Sequence, residues 1–184
     1  MEEERPSVTA ENAAVMRAIH QTIDGEPKIL DDPISQRLID TQGEVYKSRL
    51  ELLERLPTLT RLRLKAGFPM RSRFAEDCLA EAFGDGVRQY VLLGAGLDTF
   101  AYRQPPWANS LRLFEVDHPA TQQWKRKRLE GAGISLPINL SFVPVDFEKV
   151  SLRSALSRAG MDFGHSTFLF DARCQPVSQG SRAR

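Results

Sequence analysis

Residues 90–99 read YVLLGAGLDT, and the next apolar run, SLRLFEVD over 110–117, ends on Asp117. The unbroken apolar stretch Tyr90 to Leu93 suits a strand buried on both faces. It breaks into Gly94-Ala95-Gly96. Without side chains at the glycines, the backbone can turn sharply and a ligand can come close to it. Asp117 follows Gly94 by 23 positions, near the ~20-residue spacing at which a carboxylate meets a ribose in nucleotide-binding folds. The arrangement predicts an adenosine-containing cofactor lying across the C-terminal ends of two parallel strands.

Downstream, strand and helix patterns alternate. Strands are expected at 89–93, 111–116 and 140–145, helices at 119–131 and 152–160, and a fourth apolar run begins at Thr167. This rhythm argues for a parallel sheet with helices on both faces. Upstream, the pattern is helical. Thr9 is expected to cap a helix through AENAAVMRAIHQTI, and Asp31-Asp32-Pro33 reads as a second helix start. A helical pattern runs from about Ile34 to Leu56 and stops at Pro57. TLTRLRLKAGFP (58–69) reads as a loop or short helix. Arg71 to Phe83 reads as a further helix, with Phe74, Cys78, Leu79, Ala82 and Phe83 on its apolar face.

The chain has 184 residues, enough for one domain with an extension, and its 25 Lys and Arg nearly balance 24 Asp and Glu. That balance offers no global electrostatic argument for nucleic acid. The acidic start, MEEERPS, lacks the apolar core of a secretory signal. No run approaches the ~18 apolar residues of a membrane span. Cys78 and Cys174 lie far apart, so a reduced, cytoplasmic protein is expected, with Cys78 as a small core residue. No Cys/His cluster has metal-ligand spacing.

Several residues are candidates for the site. Gly94 and Gly96 shape the loop, but a dinucleotide fingerprint would place a third glycine where Thr99 stands. Asp117 can accept from ribose hydroxyls, or it can cap the helix starting near Pro119. Asp146-Phe147 repeats the construction one strand on. The acid can accept from an adenine amino group and Phe147 can cover the ring, or Asp146 is an ordinary turn acid. Arg71 or Arg73 suits a ligand carboxylate; alternatively Arg73 pairs with Asp77 on a solvated helix face. Lys125 to Arg128 is read as solvated helix surface rather than a nucleic-acid patch. His118 reads as a helix-start residue beside the site.

These residues carry a resemblance. TAENAAVMRAIH (9–20), Asp31-Asp32-Pro33, RSRFAED (71–77), QYVLLGAGLDTFAYR (89–103), FEVDHPATQQWKR (114–126) and VDFEK (145–149) are together similar to S-adenosylmethionine-dependent methyltransferases of the leucine carboxyl methyltransferase type. More narrowly, they resemble the group common in mycobacteria and related actinobacteria. GAGLDT followed by VDHP is the specific feature, and the resemblance covers about residues 7–170.

The resemblance implies a class I Rossmann-like α/β fold, with N-terminal helices over the substrate side and S-adenosyl-L-methionine as cofactor. It implies that Gly94 and Gly96 lie under the methionine moiety, Asp117 holds the ribose, Asp146 and Phe147 the adenine, and Arg71 the carboxylate. The usual pair at 146–147 is Asp-Leu, so Phe147 is a departure. No catalytic base and no metal are implied. The expected division is a helical region at 1–86, a cofactor-binding half at 87–170, and an aberrant disordered tail at 171–184. That division leaves the sheet incomplete and reads as a truncation. The expected reaction is O-methylation of a small-molecule carboxylate or hydroxyl, with no nucleic-acid or membrane partner. The alternatives are an inactive cofactor-binding fragment and a nicotinamide-dependent oxidoreductase, the latter disfavoured by Thr99.

Overall fold

Strand β1 (Gln89–Leu93) is buried along its whole length because it is flanked on both edges. In a computed structural model, which describes residues 8–172, it pairs with β2 (Arg112–Asp117) on one side and β4 (Thr167–Asp171) on the other. Strand β3 (Leu140–Pro144) adds to β2, giving the order β3-β2-β1-β4 with every pairing parallel. The expected tail begins at 171, yet Asp171 pairs with Leu93 in register and the Ala172 N–H donates to the Leu93 carbonyl. Residues 173–184, with Cys174, lie outside the described residues.

Side chains two apart in a strand share a face, and the two faces have different covers. Tyr90, Leu92 and Leu113 pack with Leu79, Phe100 and Leu111. Val91, Leu93, Phe114 and Val116 pack on the other face with Ala155 and Leu156. Those last two belong to the helix α6 (Leu152–Arg158). The β2–β3 connection is the helix α5 (Pro119–Gly131). Between β1 and β2, however, the crossover is two 3-10 turns, Phe100–Tyr102 and Pro106–Ser110.

Four helices precede the sheet: α1 (Val8–Ile23), α2 (Pro33–Leu38), α3 (Glu44–Glu54) and α4 (Thr58–Gly84). Helix α1 begins before Thr9, so Thr9 is in its first turn rather than its cap. The single helix expected from Ile34 to Leu56 is two. Asp40 breaks it, because its side chain accepts the Gln42 N–H and its carbonyl the Gly43 N–H. Such local bonds compete with helix continuation.

The opposite happens at Pro69, which is expected from the sequence to separate two segments but sits inside the 27-residue α4. A proline in a helix interior costs about 3 kcal/mol. Here the residue is buried and the helix is held by packing on α1. The inward side of α4 carries Ser72, Ala75 and Leu79. Phe74, expected inside, is 69% exposed, and Cys78 is half-buried rather than a core residue. No helix among the described residues is long and apolar enough to cross a membrane.

The Lys125–Arg128 run is not simply solvated. Lys125 is 1% exposed and its Nζ lies 2.6 Å from Glu115 Oε2. Arg128 Nη1 donates to the Leu38 carbonyl at 2.7 Å, while Arg126 and Lys127 remain exposed. Burial pushes the Glu115 carboxyl up, and the Lys125 ammonium opposes it. The Tyr102 hydroxyl also donates to Oε2, and burial with Glu115 nearby pushes that phenol upward, keeping it a donor.

Breaking a buried pair from one side leaves an uncompensated charge, so Lys125→Ala should cost about 3–5 kcal/mol in urea unfolding. The double variant Glu115→Gln/Lys125→Met should recover most of that loss. A loss under about 1 kcal/mol, the size typical of exposed pairs, would show that water reaches and screens the site.

Candidate functional site

The C-terminal ends of β1, β2 and β4 open into one cavity of about 90 Å³. Residues Gly94 to Asp98, Asp117 and Phe170 line it from the sheet side. Helix α1 covers it with Thr9, Ala10, Ala13 and Arg17, and α4 adds Phe68, Arg71 and Ser72. Ligands of open parallel sheets bind outside the carboxyl ends of the strands, and the cavity lies there.

The loop after β1 has its shape for a local reason. Gly94 and Gly96 have φ of 60° and 48°, in the left-handed region that disfavours side chains. Between them the Ala95 N–H still donates to the Val116 carbonyl, extending the β1–β2 pairing by one residue. The chain then leaves the sheet at Gly96, whose N–H donates to Asp117 Oδ2 at 2.6 Å. The His118 N–H donates to Oδ1 at 2.7 Å. Each carboxylate oxygen thus has one backbone donor and keeps a further acceptor site. Asp117 therefore staples the two strand ends together while still facing the cavity. Its expected alternative role, capping α5, falls to His118, whose Nδ1 accepts the Ala120 N–H at 3.3 Å.

The two candidate arginines separate. Arg73 lies 2.8 Å from Asp77 across one helical turn, with both side chains more than half exposed. Arg71 lines the cavity, its guanidinium 5.5 Å from the Phe68 ring. Asp146 and Phe147 are not among the lining residues. They follow the end of β3, next to β2, where the Val145 N–H donates to the Asp117 carbonyl. Phe147 is 49% exposed. The Lys149 ammonium, 2.7 Å from Asp146 Oδ2, holds that carboxyl below its ordinary value.

A second set of residues beneath the cavity has roles that the sequence does not announce. Asp32, 0% exposed, receives three hydrogen bonds and pairs by charge with a further guanidinium, that of Arg103. The Ser35 N–H and Arg103 Nε approach Oδ1 at 3.1 and 3.3 Å. Arg17 Nε and the Thr99 hydroxyl reach Oδ2 at 3.1 and 2.8 Å. Arg17 Nη2 also donates to the Leu97 carbonyl at 2.6 Å. Arg103 continues to Glu76 of α4, with Nη1 3.0 Å from Oε2. Burial opposes charge on both partners; Glu76 is raised all the same, and Arg103, paired with it, stays firmly protonated.

The visible signal for Arg17 is an arginine at helical spacing from Ala10, Ala13 and Ala14, on the face α1 buries. Thr99 stands out in the sequence only as a missing glycine. No group of three or more His, Cys, Asp or Glu side chains among the described residues is placed to hold a metal ion.

The chain is similar in sequence to known proteins. The leucine carboxyl methyltransferase family model matches residues 10–173. A Bacillus subtilis (strain 168) protein described as "Putative S-adenosyl-L-methionine-dependent methyltransferase YktD" is 37% identical over 167 residues. The match covers 81% of this chain and 55% of that protein. A Mycolicibacterium gilvum protein of the same description, without the final word, is 31% identical over 164 residues. Here the shares are 84% and 52%. The chain spans about half the length of the curated relatives it matches.

Gly96 gives the geometry a direct test. A Cβ there would stand 2.8 Å from the Ala10 Cβ, so this glycine is required by the seating of α1 as well as by its φ. Gly96→Ala should cost about 1–3 kcal/mol in thermal or urea unfolding. Adding Ala10→Gly should return the steric share of that cost. If the second change restores nothing, α1 does not rest on the loop as described.

Proposed function

This chain belongs to the leucine carboxyl methyltransferase family, and we propose that it binds S-adenosyl-L-methionine and acts in methyl transfer to an oxygen of a small molecule. One observation carries the reading. The glycine loop and Asp117, from neighbouring parallel strands, share a hydrogen bond and a cavity with Arg71. The relatives' descriptions supply the cofactor, and the donor set suits it. Arg71 offers a guanidinium to a carboxylate. Gly94 and Gly96 present backbone with no side chain in the way. Asp117 has acceptor capacity left for hydroxyls.

The cavity under α1 takes the amino-acid and ribose moieties in this reading. The adenine lies along the rim past β3, where Asp146 can accept from its amino group and Phe147 can cover a ring face. The proposed division of labour follows: the helices of 1–86 cover the acceptor side and 87–170 hold the cofactor.

When bound, the cofactor supplies a methyl group activated by a positively charged sulfur. The chain's own contribution is positioning and the exclusion of water. Alignment of two reactants accounts for much of the barrier reduction in such transfers, and a low-polarity surround favours a step in which positive charge is neutralised. Ala10, Ala13, Phe68 and Phe170 supply apolar surface to the cavity. We take the acceptor to be a carboxylate or hydroxyl oxygen, and no side chain is assigned as its base.

Calorimetry with S-adenosylhomocysteine and with NAD tests the cofactor. The first should bind and the second should not, since Thr99 stands where a pyrophosphate loop has glycine. Tighter binding of NAD, or no binding of S-adenosylhomocysteine, would overturn the proposal. Within the site, Asp117→Ala should weaken S-adenosylhomocysteine by about 1–3 kcal/mol, leaving ribose hydroxyls unpaired. Asp98→Ala should have less effect, because the Asp98 carboxylate is used by the Phe100 N–H. Equal losses would reduce Asp117 to a staple between strand ends.

A further inference from the structure

We infer that Asp32 is a positioning residue of the cofactor site, acting through Arg17 on the loop at 94–99; the inference rests on the cofactor reading above. Asp32 and Thr99 do not line the cavity, and they are 0% and 1% exposed. Neither reaches a bound ligand. Yet the hydrogen bonds that tie the helical region to the loop run through or beside them. Arg17 spends Nε on Asp32 and Nη2 on the Leu97 carbonyl. The first contact fixes the plane of the guanidinium, and the fixed plane sets where the second points, because its donors form a rigid fork.

The peptide that carries the Leu97 carbonyl is the second after the one whose N–H, that of Gly96, meets Asp117. The two planes are separated only by Gly96 and by Leu97, whose side chain is packed in the core, so a rotation of either is passed to the other. Thr99 closes the circuit: it donates to Asp32 Oδ2 and accepts from Arg103 Nε at 3.2 Å. Arg103 carries the restraint to Glu76. Glu76 lies five residues after Arg71 in α4. The loop under the cofactor and the helix that presents Arg71 are thus referred to a single buried carboxylate. A ligand that needs both at once requires their spacing to be held before it arrives, which is what preorganisation contributes to affinity.

The test is calorimetric titration of S-adenosylhomocysteine into wild type, Asp32→Asn, Thr99→Val and Thr99→Ser, each well below its unfolding midpoint. There nearly all molecules are folded, so lost stability alone does not change Kd. Leu156→Ala, on the other face of the sheet, serves as an equally destabilised control and should keep the wild-type Kd.

Asp32→Asn keeps one oxygen but cannot hold both guanidiniums and the threonine. Asp32→Asn and Thr99→Val should each raise Kd roughly tenfold or more, the scale of one lost charge-assisted hydrogen bond. Thr99→Ser should return it to within about twofold. If Asp32→Asn does not fold, Thr99→Val alone decides. Folded Asp32→Asn or Thr99→Val binding within about twofold of wild type overturns the inference, as does a Leu156→Ala control that loses affinity equally. Failure of wild type to bind S-adenosylhomocysteine would instead sink the cofactor proposal, so the two failures are distinct.

Discussion

A carboxylate without access to water must find its donors inside the protein, and for Asp32 they come from three separate pieces of chain. Arg17 belongs to α1, the Ser35 N–H to the first turn of α2, and Thr99 to the segment after β1, which also brings the ion-paired Arg103. Two guanidiniums on one buried carboxylate would leave an excess of charge, and Glu76 from α4 offsets it. Removing a member leaves its partners charged and dry, which is costly. The arrangement therefore permits few alternatives. The helices can sit on the sheet in the orientation that satisfies Asp32, and apolar contact alone would be far less selective.

This orientation places the N-terminal half of α1 on Gly96. The loop has glycine there for two reasons that reinforce each other: its φ is positive, and Ala10 occupies the space a side chain would fill. Asp117 then joins the loop to the end of β2. What results is a cavity with a polar floor and rim and an apolar cover, between elements far apart in sequence. The second buried pair, Glu115 with Lys125, has a comparable effect deeper in the fold, tying α5 to the middle of β2. Both pairs sit on the same side of the sheet, where the β1–β2 crossover lacks an α-helix and offers only 3-10 turns.

Much of this is legible along the chain. The apolar runs at 89–93, 111–116 and 140–145 mark the strands to within a residue; the central β1 is buried throughout because a parallel sheet covers both faces, whereas in the edge strand β3 only Val143 is buried. The glycines after β1 and the acid after β2 can be placed at strand ends by spacing alone. The failures share a cause. Pro69 reads locally as a stop, yet α4 passes through it because packing on α1 holds the helix. Phe74 reads as core, yet it points outward because Ser72, Ala75 and Leu79 form the inward face. Lys125 reads as surface because neighbouring residues are charged, and nothing local reveals that Glu115 waits opposite it. Asp146 and Phe147 are expected beside Asp117, but the cavity stops short of them.

Local sequence by itself determined what short-range physics controls. It specified which stretches are strands, where the backbone must turn, and which acid ends β2. Period, turn chemistry and spacing act within a few residues and need no partner. Tertiary structure alone decided which charges are buried, which arginine of RSRFAED meets the cavity, and which helix covers it. Those outcomes depend on pairs such as Arg17 with Leu97, 80 residues apart, and Asp32 with Thr99, 67 apart. The worth of a charge depends on its partner and its access to water. Neither is fixed until the helices have been laid on the sheet.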